Sequence, residues 1–257
     1  VHADGTFINL PATLGQVLRA DDEIVPPKGY VYSGWYYYSE GDKVPFVFGE
    51  THVNGVITLY PNATAKKYDV AFTGTGVSAA SDAVGEGKAT FGQNYTVKLT
   101  VTEGYTLAAE NIVVTMDGTQ SVRFEYNPAT GMLTVYNVTG EIDITAKAEQ
   151  LEYTVTFNYN DGRAPKDQIV AYGTAYSTLV TEKPEREGYT FRGWYLNGAP
   201  VAEDGSVTGD ITLVALWSEI RYTVRFLDGD QLVAALTVTE KGMVTAPALG
   251  AREGYTF

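Results

Sequence analysis

Gly188-Tyr189-Thr190-Phe191-Arg192-Gly193-Trp194-Tyr195 is the stretch that decides how the chain is read. Its first four residues return at Gly254-Tyr255-Thr256-Phe257. A looser copy, Gly29-Tyr30-Val31-Tyr32, runs into Gly34-Trp35-Tyr36 just as Gly193-Trp194-Tyr195 closes the quoted stretch. Recurrence on this scale marks stacked or strung supersecondary units, so the chain is a repeat array. Each copy reads as an aromatic strand whose second glycine, Gly34 or Gly193, marks a bulge that resets the phase.

Working outward, Tyr153, Val155 and Phe157 alternate as one face of an opening strand, and Tyr222, Val224 and Phe226 repeat them from residue 153 to residue 222, a period of 69. Tyr68, Val70 and Phe72 show the same alternation. Closing strands follow Val207-Thr208-Gly209-Asp210 at Ile211 to Trp217, and Val138-Thr139-Gly140-Glu141 at Ile142 to Ala146. These landmarks divide the chain into 1–67, 68–152, 153–221 and 222–257, with 1–67 and 153–221 of one type and 222–257 the opening of another copy. The joints at Lys66-Lys67 and Glu149 to Glu152 carry no Gly/Ser or Pro run, so semi-rigid beads are expected.

Within 153–221 the pattern predicts a strand, a turn at Asn160-Asp161-Gly162 and a strand at Asp167 to Tyr172. A helical turn or two between Ala175 and Lys183 follows, stopped by Pro184. Strands at Tyr189 to Tyr195 and Ile211 to Trp217 follow, with a turn at Asn197-Gly198. Residues 68–152 show no convincing helix. Strands at Tyr68 to Thr73, Asn94 to Thr102, Ile112 to Met116, Val122 to Asn127, Met132 to Tyr136 and Ile142 to Ala146 predict a β-sandwich. Aligning Gly29 with Gly188 sets Gly5 opposite Gly173 and leaves nothing opposite Tyr153 to Phe157. The head then lacks the strand that the tail possesses, and head-to-tail self-association by strand addition is one expectation.

Thirty-one acidic against 18 basic residues give a net charge of −13, which disfavours nucleic acid and anionic lipid as partners. The absence of cysteine excludes disulfides, thiolate metal sites and cysteine nucleophiles. No run approaches the roughly 18 apolar residues of a membrane helix, so no membrane insertion is expected within this chain. Val1 to Leu10 lacks a basic start and apolar block, so an export signal and a wall anchor, if they exist, are expected outside this chain.

The segment from Tyr153 to Trp217, with Gly188-Tyr189-Thr190-Phe191, Gly193-Trp194-Tyr195 and Ile211-Thr212-Leu213, resembles the internalin B-repeat, also called the Listeria and Bacteroides surface repeat. Residues 1–65 carry the resemblance less fully and 222–257 for half a copy. It implies a β-grasp-like fold in extracellular, multi-repeat bacterial proteins, commonly adhesins or large wall proteins. Residues 68–152, through Gly104-Tyr105-Thr106-Leu107 and Val138-Thr139-Gly140, look similar to a second β-repeat of secreted gut-bacterial proteins. The fold expected is mainly β: small tandem modules, β-grasp-like repeats flanking a sandwich-like one. The expected function is a non-enzymatic stalk or spacer of a cell-surface or secreted adhesin-like protein; the alternative is that the modules themselves bind a glycan or host protein.

The aromatic run from Tyr30 to Tyr38 is the candidate binding surface. Strict alternation puts Tyr30, Tyr32, Tyr36 and Tyr38 on one face and Val31, Trp35 and Tyr37 on the other. Flat rings offer apolar area with a polar edge, suited to sugars or protein hot spots, and Trp35, Tyr37 and Tyr38 are the contact candidates. Tyr37 and Tyr38 replace Leu196 and Asn197 and are least explained by the repeat. Catalysis has little material. The histidines are His2 and His52, the latter read as lying in a turn. The acidic pairs in Asp21-Asp22-Glu23, Glu203-Asp204 and Asp228-Gly229-Asp230 suit turns better than a cleft. Asp228 and Asp230 lack the ligand spacing of an EF-hand for calcium, and no Walker, dinucleotide or zinc pattern occurs. No cofactor is expected. Lys98 and Lys147 on strands raise the question of isopeptide crosslinks.

Overall fold

The computed structural model describes residues 13–17, 26–120, 122–248, 250 and 253–254. The chain is mainly β, built from several small sheets, and divides into two compact units, Val1–Glu149 and Gln150–Phe257.

In the second unit, a five-stranded sheet runs in the order Lys166–Ala171, Glu152–Asn158, Ile211–Glu219, Tyr189–Leu196, Ala199–Pro200. Glu152–Asn158 pairs antiparallel with Lys166–Ala171 and parallel with Ile211–Glu219, Val155 facing Ile211. Alternation buries Val155 and Phe157 at 0% and 6% exposure. The single helical turn Tyr176–Leu179 brings Leu179 to the same core, with Trp194, Val207, Leu213 and Ala215. Two-residue turn chemistry holds at Asn197 (φ 51°) and Gly198 (φ 82°), both left-handed as a type I′ hairpin requires.

The bulge between Phe191 and Gly193 is the local device on which this core depends. Gly193 sits at φ 130°. The extra residue turns Phe191 and Trp194 to one side, their rings 5.7 Å apart and edge-on. Trp194 also meets Phe157 at 5.1 Å and donates its indole N–H to the Glu182 carbonyl at 3.2 Å. Trp217 donates to the Tyr159 carbonyl at 2.7 Å. Trp194 is thereby buried, and Trp217 half-buried, without an orphaned donor. Beyond the sheet, Arg221–Asp228 and Gln231–Thr239 form an antiparallel hairpin on which Tyr222, Leu232 and Leu236 stay exposed.

In the first unit, residues 67–148 place a five-stranded and a four-stranded sheet around one core. The first runs Thr119–Gln120, Ile112–Met116, Ile142–Lys147, Lys67–Thr75, Gly85–Thr90; the second runs Phe124–Asn127, Met132–Val135, Tyr95–Val101, Val77–Ala79. Ile142, Ile144 and Ala146 from one sheet and Val97, Leu99, Leu133 and Val135 from the other fill that core. The strands Val77–Ala79 and Gly85–Thr90 are absent from the sequence reading, because Gly, Ala, Ser and Lys give them no apolar alternation. The Tyr95 hydroxyl donates to the Ala83 carbonyl at 2.6 Å. Burial, and next the negative charge of Asp82, push this phenol up to about 12.

Residues 26–66 carry a three-stranded sheet in the order Asp42–Phe46, Tyr30–Ser39, Tyr60–Ala65, with a bulge between Tyr32 and Trp35 and Gly34 at φ 144°. Its internal hydrogen bonding matches that of 171–220. Gly15 N–H donates to the Val53 carbonyl at 2.9 Å and Val53 N–H to the Gln16 carbonyl at 3.1 Å; likewise Gly173 N–H donates to the Val207 carbonyl at 2.8 Å and Val207 N–H to the Thr174 carbonyl at 2.9 Å. The bridges Val17 to His52 and Ala175 to Ser206 correspond in the same way. The counterpart of Gly173 is therefore Gly15, a correction to the alignment that chose Gly5; Gly5 lies outside the described residues. The joint at Lys66-Lys67 is tied by backbone bonds, Lys66 N–H to the Gly29 carbonyl at 2.8 Å and Phe91 N–H to the Lys66 carbonyl at 2.9 Å. A Cβ on Gly29 would overlap the Phe91 ring at 2.2 Å, so only glycine permits that approach.

Two outcomes follow. Gly193→Ala should cost about 1–3 kcal/mol in urea unfolding, although a Cβ there meets nothing within 4 Å. Gly209→Ala, equally uncrowded and without a left-handed φ, should change stability little. For Tyr95, the folded state holds its proton above the ordinary 10.0. Its contribution to stability is complete below pH 10 and is lost as pH rises from about 10 to about 12. Phenolate absorbance should show a component titrating near 12 that Tyr95→Phe removes.

Candidate functional site

Bulging at Gly34 decides what the aromatic hairpin presents. Without it, period two would set Tyr32 opposite Trp35. With it, Tyr32 joins the face of Trp35, their rings 5.7 Å apart, which corrects the strict alternation. That face continues through Phe48, 6.3 Å from Trp35, and Phe46, 5.1 Å from Phe48 and 6.4 Å from Tyr37. Phe46 is buried, while Trp35 and Tyr37 are half-buried. Both tryptophan and tyrosine here serve as packing for a thin sheet.

Across the sheet, Tyr36 lies nearly parallel to Tyr60 at 5.5 Å and 25°, directly opposite it in the register. Tyr38 stands edge-on to Tyr36 at 5.6 Å and to Tyr60 at 5.7 Å, with 57% of its surface exposed. Lys43 places its ammonium 3.9 Å above the Tyr36 ring and 3.4 Å from the Asn62 side-chain oxygen. Burial among these rings, then the neighbouring Tyr38, raises the Tyr36 phenol above its ordinary value. Trp35, Tyr37 and Tyr38 therefore form no single surface. Tyr38 belongs with Tyr36 and Tyr60. Sequence reasoning missed Tyr60, though aligning the closing strands would have placed it opposite Tyr36, as Val214 lies opposite Tyr195.

The remaining candidates are dispersed. His52 sits in a bridge rather than a turn, and its Nδ1 lies 3.0 Å from the Gly15 carbonyl; as donor there it is committed to the backbone. His2 and Asp21-Asp22-Glu23 lie outside the described residues. Glu203 and Asp204 are exposed. Asp228 and Asp230 flank Gly229 in a hairpin turn. Among the described residues no three His, Asp or Glu side chains gather to hold a metal ion, and no helix is long and apolar enough to cross a membrane. Lys98 and Lys147 are exposed on their strands.

With this geometry in place, comparison with known proteins identifies residues 153–216 as one Listeria-Bacteroides repeat domain. A protein of Evansella cellulosilytica named as a Gly-rich membrane protein is 27% identical over the whole of this chain, which covers 30% of that protein. Another of its membrane proteins is 34% identical over 48% of this chain and 19% of its own length. Internalin H of Listeria monocytogenes is 29% identical over 62% of this chain and 29% of its own length. The chain thus spans less than a third of the length of each of these three relatives.

Truncating rings on the two faces should separate packing from display. Trp35→Ala should destabilise the first unit by about 2–4 kcal/mol in denaturant unfolding. Tyr38→Ala should stay within about 0.5 kcal/mol.

Proposed function

We propose that this chain is a non-enzymatic segment of a bacterial cell-surface or secreted adhesin-like protein, and that its modules act as a stalk projecting other parts of that protein from the cell. The observation that carries this reading is the repeated geometry. The Gly-to-Val backbone bond with its return to the next residue, the isolated bridge and the glycine bulge occur among the described residues of 13–66 and again at 171–220. A chain that repeats a closed scaffold, rather than elaborating one cleft, is suited to spacing. The likeness to internalin H and to proteins named for the membrane supports an extracellular place at the cell surface.

In the finer reading, 153–221 is β-grasp-like, with Tyr176–Leu179 crossing a mixed sheet, and 68–152 is sandwich-like, with two sheets about one core. Residues 1–67 are a further copy of the repeat and 222–257 the opening of another. The opening strand Arg221–Asp228 is supplied to the head of a second copy, as Glu152–Asn158 pairs with Ile211–Glu219 within 153–221.

A second reading, adhesion by the modules themselves to a glycan or host protein, is favoured by the Tyr36, Tyr38 and Tyr60 face, where Tyr38 is exposed and Lys43 adds a charge.

The two are told apart in the whole surface protein by exchanging these residues for an unrelated folded spacer of equal length. Under the stalk reading, cell adhesion survives the exchange and falls when the segment is deleted. Loss of adhesion on exchange, reproduced by Tyr38→Ala/Tyr60→Ala, would sink it and assign binding to the modules.

A further inference from the structure

Three phenols meet on the outer face of the sheet at 26–66. The ring centres of Tyr36, Tyr38 and Tyr60 lie 5.5 to 5.7 Å apart in every pairing. One cross-strand aromatic pair is ordinary sheet packing; the third ring, Tyr38, stays 57% exposed and adds little burial. This sheet has little core of its own, Phe46 and Val53 being the fully buried apolar side chains among the described residues of 13–66. The chain has no cysteine, so no disulfide ties its strands.

The geometry selects one pair of the three. Tyr36 is flanked on both sides, by the Lys43 ammonium 3.9 Å from its ring centre on one neighbouring strand and by the stacked Tyr60 on the other. Tyr36 and Tyr60 are also directly opposed in the register, which sets their Cβ atoms about 4.5–5.5 Å apart. A bond between the ring carbons ortho to two phenol oxygens leaves each Cβ on the far side of its ring, too distant for a directly opposed pair. Tyr38 is the diagonal neighbour of Tyr60, a separation nearer to about 7 Å. Their rings already cross at 69° with centres 5.7 Å apart. Turning the exposed Tyr38 ring brings the ortho carbons together without moving the strands.

We propose that Tyr38 and Tyr60 are a site of oxidative crosslinking, joined as dityrosine when hydrogen peroxide and a haem peroxidase act on the folded chain. Each phenol gives up one electron and one proton, and the two phenoxyl radicals couple at their ortho carbons. Return of each ring hydrogen to oxygen, as a proton, restores both phenols. In sum two aromatic C–H bonds break and one C–C bond forms. One peroxide takes the two electrons and two protons and leaves as two waters. The product staples Tyr30–Ser39 to Tyr60–Ala65 and closes a loop in the unfolded chain, as a disulfide does. Meeting such an oxidant in nature rests on the extracellular place proposed above; the competence of the two rings does not.

The test treats the intact chain, dilute enough to keep it monomeric, with peroxidase and peroxide, using free N-acetyltyrosine to confirm that the oxidant couples phenols. Tryptic cleavage after Lys28, Lys43 and Lys66 separates the pair: 44–66 holds Tyr60 as its one tyrosine, and 29–43 holds Tyr38. The expected product is these two peptides joined with the loss of two hydrogens, fragmentation placing the bond at Tyr38, together with dityrosine fluorescence in the monomer and a higher urea midpoint. Tyr38→Phe and Tyr60→Phe should each lower the yield of that linked peptide by about tenfold or more. Tyr37→Phe, on the opposite face, should leave it unchanged. Tyr153 and Tyr172, 6.4 Å apart and tilted at 51°, are the internal comparison and should couple less. The proposal is overturned by a monomer without the linked peptide when N-acetyltyrosine couples, by links found between chains alone, by a yield that survives Tyr38→Phe, or by Tyr153 and Tyr172 coupling as well.

Discussion

At Gly193 the backbone holds φ 130°, a conformation that L side chains resist, and the strand gains a residue there without gaining a side chain. Phe191 and Trp194, which simple alternation would send to opposite faces, arrive together over Phe157. The core of the second unit is small, with eight buried side chains among the described residues, that tryptophan one of them. Because a Cβ at Gly193 would meet nothing within 4 Å, the requirement is one of conformation, not of space. The indole then finds the Glu182 carbonyl, so burying the ring leaves no donor unpaired.

The same device at Gly34 has a different consequence because the residues after it differ. There the bulge gathers Tyr32 and Trp35 on one face with Phe46 and Phe48. On the other face Tyr36 and Tyr38 meet Tyr60 across the register, where the Listeria-Bacteroides repeat at 153–216 has Tyr195 and Val214. One backbone geometry thus yields a plain packing sheet in one place and an aromatic outer face in the other. The Tyr32 hydroxyl is buried without a hydrogen-bond partner among the described residues.

Residues 67–148 reach stability by another route. Two sheets sharing one core bury long alternating runs, such as Ile142, Ile144 and Ala146 against Val97 and Leu99. A core of that size tolerates short strands with little apolar content of their own, Val77–Ala79 and Gly85–Thr90, whose pairing comes from backbone hydrogen bonds and neighbours rather than side-chain pattern.

The strands Tyr189–Leu196, Ile112–Met116 and Ile142–Lys147, the one-turn helix before Pro184 and the Asn197-Gly198 turn were legible in the amino-acid order. Alternation, turn glycines and proline act over a few residues and need no tertiary context. Other features depended on contacts across the chain. The pairing of Gly15 with Val53, which corrects the place of the first copy's turn, joins residues far apart in sequence. The separation of Trp35 and Tyr37 from Tyr38, and the recruitment of Tyr60, follow from register. The chain order by itself determined that this is a mainly β chain carrying a Listeria-Bacteroides repeat at 153–216. Only the tertiary structure decided which aromatic rings are interior and which are offered to solvent, because a one-residue bulge and a register across strands set the direction of every side chain beyond them.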